Sequence, residues 1–173
     1  MDILISSNLE RLLYTVVGCE KTAEYMKKLS ADGKYCLDAA DFSKISDNFA
    51  GYYTDEEDCA FTVRDTYEAL GSLIDTHTAV AVSAANRYMK DTATGRKMLV
   101  VSTASPYKFA ADVYTALGGT RPEDDLLAPD MLEAHTGVAM PLPLAELKNK
   151  VAIHTGVIDK SDMPKSVMEF ATK

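Results

Sequence analysis

Three hydroxyl side chains, Ser102, Thr103 and Ser105, are clustered in the run Met98-Leu-Val-Val-Ser-Thr-Ala-Ser-Pro-Tyr-Lys-Phe109. Hydroxyls grouped in this way can hold a small anion while adding no charge of their own. A second set lies in Ile74-Asp-Thr-His-Thr-Ala-Val80, where His77 can donate to one partner and accept from another, and Thr78 adds a hydroxyl. Asn8 and Arg11 form a third, near the first turn of an amphipathic stretch. Arg11 has two readings at this level. One is a surface ion pair with a neighbour such as Glu10, and the other is a cation facing a carboxylate or phosphate. The acidic run Asp55-Glu-Glu-Asp58 has the composition of a metal cluster, yet acidic residues in a first helical turn simply complement the helix dipole. Cys19, Cys36 and Cys59 show neither CxxC spacing nor an even count, and read as free thiols, mostly buried, with no metal site.

These residues need elements to position them. Leu99 to Val101 is apolar and β-branched without polar alternation, the pattern of a strand covered on both faces in a parallel sheet. Ser105 suits an N-cap, and Pro106 suits the first helical position because its fixed φ is already helical. Phe109, Val113 and Leu117 then form an apolar stripe, so Ser102 and Thr103 would sit between a strand end and a helix start, where open α/β sheets hold their ligands. Further strands are predicted at Ile3-Leu4-Ile5 and over 151–157, the latter holding His154. Helices are predicted from a cap at Ser7 or Asn8 to Gly18, over 20–31, over 38–48 with Phe42, Ile45 and Phe49 on one side, and from a Thr54/Glu57 capping box to Gly71. Others follow Asp75, Pro129 and Lys160, the last packing through Met163, Val167, Met168 and Phe170, and Pro141 and Pro143 bracket an extended link. The expectation is an α/β chain, helix-rich with a small mostly parallel sheet, and residues 1–173 read as one domain.

Composition excludes some functions. A formal charge of −8 and a pI near 4.8 lack the clustered basic face of a nucleic-acid binder. No apolar run approaches the ~20 residues of a membrane span, and Met1-Asp2 lacks the basic start of a secretory signal, so no membrane is expected and a cytoplasmic setting is the default.

Four separated segments carry a resemblance: Met1-Asp-Ile-Leu-Ile-Ser-Ser-Asn-Leu-Glu-Arg-Leu-Leu-Tyr14, Ile74-Asp-Thr-His-Thr-Ala-Val80, Ser102-Thr-Ala-Ser-Pro-Tyr-Lys-Phe109 and Ala152-Ile-His-Thr-Gly-Val-Ile-Asp159. In order and spacing they resemble the C-terminal part of bacterial threonine synthase. The resemblance implies the fold-type II architecture of pyridoxal-phosphate enzymes, and conversion of O-phosphohomoserine and water to threonine and phosphate. It implies that Thr103, with Ser102 beside it, meets the pyridine nitrogen of the cofactor, and that Asn8, Arg11, His77 and Thr78 are candidates for binding substrate. The family usually has proline where this chain has Thr76, which loosens that helix start. The family's Schiff-base lysine and its Gly-Asn-Phe-Gly phosphate loop belong to upstream motifs that this sequence does not contain, so no catalytic residue is assigned here. Lys108, one turn into a helix between Tyr107 and Phe109, reads as a solvated side chain and not as a replacement. The resemblance thus implies a C-terminal fragment inactive alone, a partner in the N-terminal portion of the same enzyme, and possible self-association through exposed apolar surface. The alternative is a self-standing module that binds a small anion without chemistry.

Overall fold

The computed structural model describes residues 5–153 and 155–172. Among them the helices are α1 (Ser7–Val17), α2 (Cys19–Asp32), α3 (Ala39–Ser46), α4 (Glu56–Leu70), α5 (Thr76–Thr92), α6 (Ala110–Ala116), α7 (Ala128–Thr136), α8 (Leu142–Ala145) and α9 (Met163–Ala171). Short 3-10 turns lead into α6 and α7 (Pro106–Phe109, Asp125–Leu127), follow α8 (Glu146–Asn149) and precede α9 (Lys160–Asp162).

The predicted α/β fold is corrected: no strand occurs among the described residues. Leu99 is 89% exposed and Val101 68% exposed, with only Val100 between them partly buried, so the run is not covered on both faces. A strand exists only as part of a ladder, because an extended backbone cannot satisfy its own N–H and C=O groups. The other apolar runs provide no ladder. Ile5 is irregular and exposed, as are Val151, Ile153 and Val157, while residues 3–4 and His154 lie outside the described residues.

Packing groups the chain into two compact units, Met1–Thr62 with His77–Thr103, and Val63–Thr76 with Ala104–Lys173. In the first, α1 is capped by Ser6, whose Oγ accepts from Leu9 N at 3.3 Å, one residue ahead of the Ser7 or Asn8 predicted. Leu13 is the fully buried anchor of α1. Helix α2 stops at Gly33, where φ is +71°, a conformation that a Cβ would strain. Helix α3 inverts its predicted polarity. Phe42 and Phe49 are more than half exposed, whereas Asp41 is fully buried.

Asp41 is tolerated because every side of its carboxylate is answered. Oδ2 accepts from Lys21 Nζ at 2.6 Å and from Tyr25 OH at 2.9 Å, and Oδ1 accepts from Lys44 Nζ at 3.3 Å. Its backbone N–H donates at 2.8 Å to Asp38 Oδ1, the N-cap of α3, and Lys21 also reaches Asp38 at 2.9 Å. Buried charges persist when paired and hydrogen-bonded in this manner.

Helix α4 is capped one residue later than the predicted Thr54/Glu57 box. Asp58 N donates to Asp55 Oδ1 at 2.8 Å, and Thr54 Oγ1 is buried with no hydrogen-bond partner. Aspartate is at least as good a cap as threonine, and Asp55 takes the position. Asp58 also pairs with Arg87 of α5, so two members of the acidic run have structural partners. Of the cysteines, only Cys59 is buried. Cys19 and Cys36 are exposed, against the expectation that most would be buried.

The second unit has the denser apolar interior. Val113, Ala128 and Leu132 are fully buried, with Val63, Tyr107, Ala110 and Ala116 around them. Arg64 Nε donates to Ala116 O at 3.1 Å and Tyr67 OH to Thr136 O at 3.1 Å, closing carbonyls near the ends of α6 and α7. The predicted helix start at Ser105-Pro106 is present, with Ser105 Oγ accepting from Tyr107 N at 3.3 Å, although the first turn is 3-10. Pro141 and Pro143 do not bracket an extended link; Pro143 sits in the first turn of α8, where its missing N–H is harmless. Helix α9 forms where predicted, but Met163, Val167, Met168 and Phe170 are all exposed and do not make the packing side expected of them.

The Asp41 cluster generates a pH-dependent prediction. Hydrogen bonding from the Lys21 ammonium, helped by Tyr25 and Lys44, pulls the Asp41 carboxyl down to about 2 against the burial that opposes it. A carboxylate depressed in the folded state stabilises that state fully above its unfolded pKa near 4, and the contribution is lost as pH falls toward 2. Asp41→Asn should therefore lower Tm by several degrees at pH 7 and flatten the fall of Tm between pH 4 and 2, both read by circular-dichroism melts. An unchanged acid limb in the variant would show that Asp41 does not control it.

Candidate functional site

Of the residues singled out for chemistry, Asn8, Arg11, His77, Thr78, Ser102 and Thr103 fall within the first unit and Ser105 within the second. Helix α5 begins at Thr76, which places His77 and Thr78 in its first turn. His77 is exposed, while Thr78 is only 4% exposed, so consecutive residues divide between solvent and interior. The fully buried Asp75 immediately precedes the helix.

Residues 93–105 follow α5 as irregular backbone, with a local turn in which Arg96 N donates to Thr94 Oγ1 at 3.3 Å. The hydroxyls of Ser102 and Thr78 lie 3.0 Å apart in a hydrogen bond that either can donate. This contact joins two segments that the sequence put forward separately. Thr103 follows with its side chain exposed. A hydroxyl group at that place can donate to a neutral acceptor such as a ring nitrogen, or accept, without bringing a charge.

Asn8 and Arg11 are brought together, since the Arg11 guanidinium donates to Asn8 Oδ1 one turn earlier on α1. Arg11 therefore finds an amide and not the Glu10 carboxylate as its partner, and both residues remain on the exposed face of the helix. The pairing fixes the direction of the guanidinium while leaving donors for an anion. Lys108 belongs to the second unit, exposed, with Nζ 5.4 Å from the centroid of the Phe109 ring. Among the described residues no group of three or more His, Cys, Asp or Glu side chains is placed to hold a metal ion.

Sequence reasoning missed the Thr78–Ser102 contact, because the two positions are 24 residues apart and neither sits in a regular pattern that would pair them. It also missed Asp41, although Asp38 and Asp41 have the cap-to-third-residue spacing that could have signalled it.

Comparison with known proteins identifies relatives of the chain. The family model described as "Threonine synthase, C-terminal" matches residues 78–151, a range that begins at Thr78 and includes Ser102, Thr103 and Lys108. The chain is 29% identical over 157 residues to threonine synthase of Pseudomonas aeruginosa, with 89% of this chain and 33% of that protein covered. It is 35% identical over 122 residues to threonine synthase of Methylobacillus glycogenes, covering 68% of this chain and 25% of that one. Among solved structures, yeast threonine synthase superposes over 100% of this chain and 36% of its own with a TM-score of 0.74 at 26% identity. Pyridoxal-phosphate-bound threonine synthase from Brucella melitensis covers 77% of this chain and 28% of its own, with a TM-score of 0.59 at 29% identity. The chain spans a quarter to a third of the length of these curated relatives. By these matches, and by the hydroxyl-bearing segment that they contain, the chain belongs to the threonine synthase family and corresponds to the C-terminal part of its members.

Proposed function

We propose that this chain is the C-terminal part of a threonine synthase that converts O-phosphohomoserine and water to L-threonine and phosphate. It acts jointly with an N-terminal portion that supplies the cofactor-anchoring lysine and the phosphate cradle. The observation that carries this reading is the exposed Thr103 hydroxyl beside a Ser102 held by Thr78, within the segment that matches the family model. Such a pair suits a neutral ring nitrogen better than a carboxylate would. Pyridoxal phosphate, when bound, draws electrons from the carbon that carries the substrate amino group.

The residues of this chain then have separate tasks. Thr103 donates a hydrogen bond to the ring nitrogen and, being uncharged, does not hold a proton on it. Ser102, tied to Thr78, keeps the backbone of residue 103 in place. Arg11, aimed by Asn8, faces a substrate carboxylate or phosphate, and His77 can pass a hydrogen bond between substrate and solvent. The setting is cytoplasmic, a reading to which the absence among the described residues of any helix long and apolar enough to cross a membrane adds its support. The exposed apolar residues of α9 offer a surface for the N-terminal portion, or for self-association when that portion is missing.

Joining this chain to an N-terminal threonine synthase portion and measuring phosphate release from O-phosphohomoserine tests the proposal. The chain alone should release none. In the joined protein Thr103→Val should lower kcat about tenfold, the loss of one useful hydrogen bond in a dry site, with Thr103→Ser restoring most of it. Full activity in Thr103→Val would reject the assignment. Borohydride reduction of the chain with pyridoxal phosphate, followed by peptide mapping, should reveal no stoichiometric adduct at Lys108. In a double-mutant cycle on the chain, Thr78→Val and Ser102→Ala should each cost about 1 kcal/mol in urea unfolding, and the double variant less than their sum.

A further inference from the structure

The second unit contains a cavity of about 480 Å³ that takes no part in the site above. That is within the roughly 300–1,000 Å³ usual for small-molecule sites. Its walls are apolar, with Phe109, Met140, Leu144 and Leu147 among them, and it is also lined by Lys108, Asp112, Arg121 and Asp125. The charges are arranged in two groups. Arg121 bridges two carboxylates, Nη1 lying 2.6 Å from Asp112 Oδ1 and Nη2 2.7 Å from Asp125 Oδ2, which leaves that triad with one net negative charge. Lys108 contributes a positive charge whose ammonium rests against the Phe109 ring.

This lining sorts ligands by charge. A phosphate or other dianion would face two carboxylates and has one unshared cation to meet it. A simple cation would satisfy the triad but leave Lys108 unanswered, and a hydrocarbon would answer neither. A molecule with one ammonium, one carboxylate and an apolar tail answers all three surfaces. We propose that the cavity binds a free apolar α-amino acid of about leucine size. Its ammonium meets the Asp112–Arg121–Asp125 triad, its carboxylate meets Lys108, and its side chain lies among Met140, Leu144 and Leu147.

Calorimetric titration of the 173-residue chain with L-leucine tests this, alongside 4-methylpentanoate, which lacks the ammonium, 3-methylbutylamine, which lacks the carboxylate, and L-serine, which lacks the tail. Leucine should bind, with each analogue at least about fivefold weaker, as expected for loss of a charged hydrogen bond or of apolar burial. Lys108→Gln, at an exposed position that should leave the fold intact, should weaken leucine about fivefold and leave 3-methylbutylamine unchanged. Leu144→Trp, filling the cavity, should abolish binding in a chain whose helical circular dichroism is unaltered. No heat with leucine, equal affinity for 4-methylpentanoate, or indifference to Lys108→Gln would each overturn the proposal. None of these outcomes bears on turnover in the joined protein.

Discussion

A single hydrogen bond between two hydroxyls, Thr78 and Ser102, sets the geometry on which the functional reading depends. Residues 93–105 are irregular, and no sheet among the described residues fixes where the Ser-Thr turn lies. Thr78 can serve as the fixed point because it is buried in the first turn of a 17-residue helix, whose own hydrogen bonds hold its direction. Ser102 borrows that rigidity, and Thr103 inherits it through one peptide bond.

What the sequence made legible was local. Gly33 and Gly137 end helices in the left-handed conformation, and Ser105-Pro106 starts one, because caps are decided by residues within a turn of each other. The pairing of Arg11 with a residue on its own helix was within reach for the same reason. Strands were misread because an apolar β-branched run states only a preference, and whether Leu99–Val101 joins a ladder depends on distant backbone that the described residues do not bring alongside. Helix α3 was misread because periodicity marks Phe42 and Phe49 as inward, whereas the decision rests with Lys21 and Tyr25 of another helix, which together make burial of Asp41 affordable. Within the candidate site, the residue types were legible and their juxtaposition was not.

Two polar centres of the first unit, Asp41 fully buried and Thr78–Ser102 partly so, solve the same problem by different means. At Asp41 a charge accepts three side-chain hydrogen bonds, two at Oδ2 and one at Oδ1; at Thr78 and Ser102 two neutral hydroxyls bond each other. The first is suited to holding helices together and the second to holding a loop, because a neutral pair can release and re-form without stranding a charge. The relatives that this chain matches are longer, the matched stretches making up 33% and 25% of them.

The burial of Cys59 has a use that its chemistry alone would not suggest. With Cys19 and Cys36 open to solvent and Cys59 shielded within α4, a thiol reagent divides the three into a fast pair and a slow singleton. The slow rate measures how often the helix opens to admit the reagent. The chain thus contains its own reporter of breathing in α4, readable by mass without any introduced label.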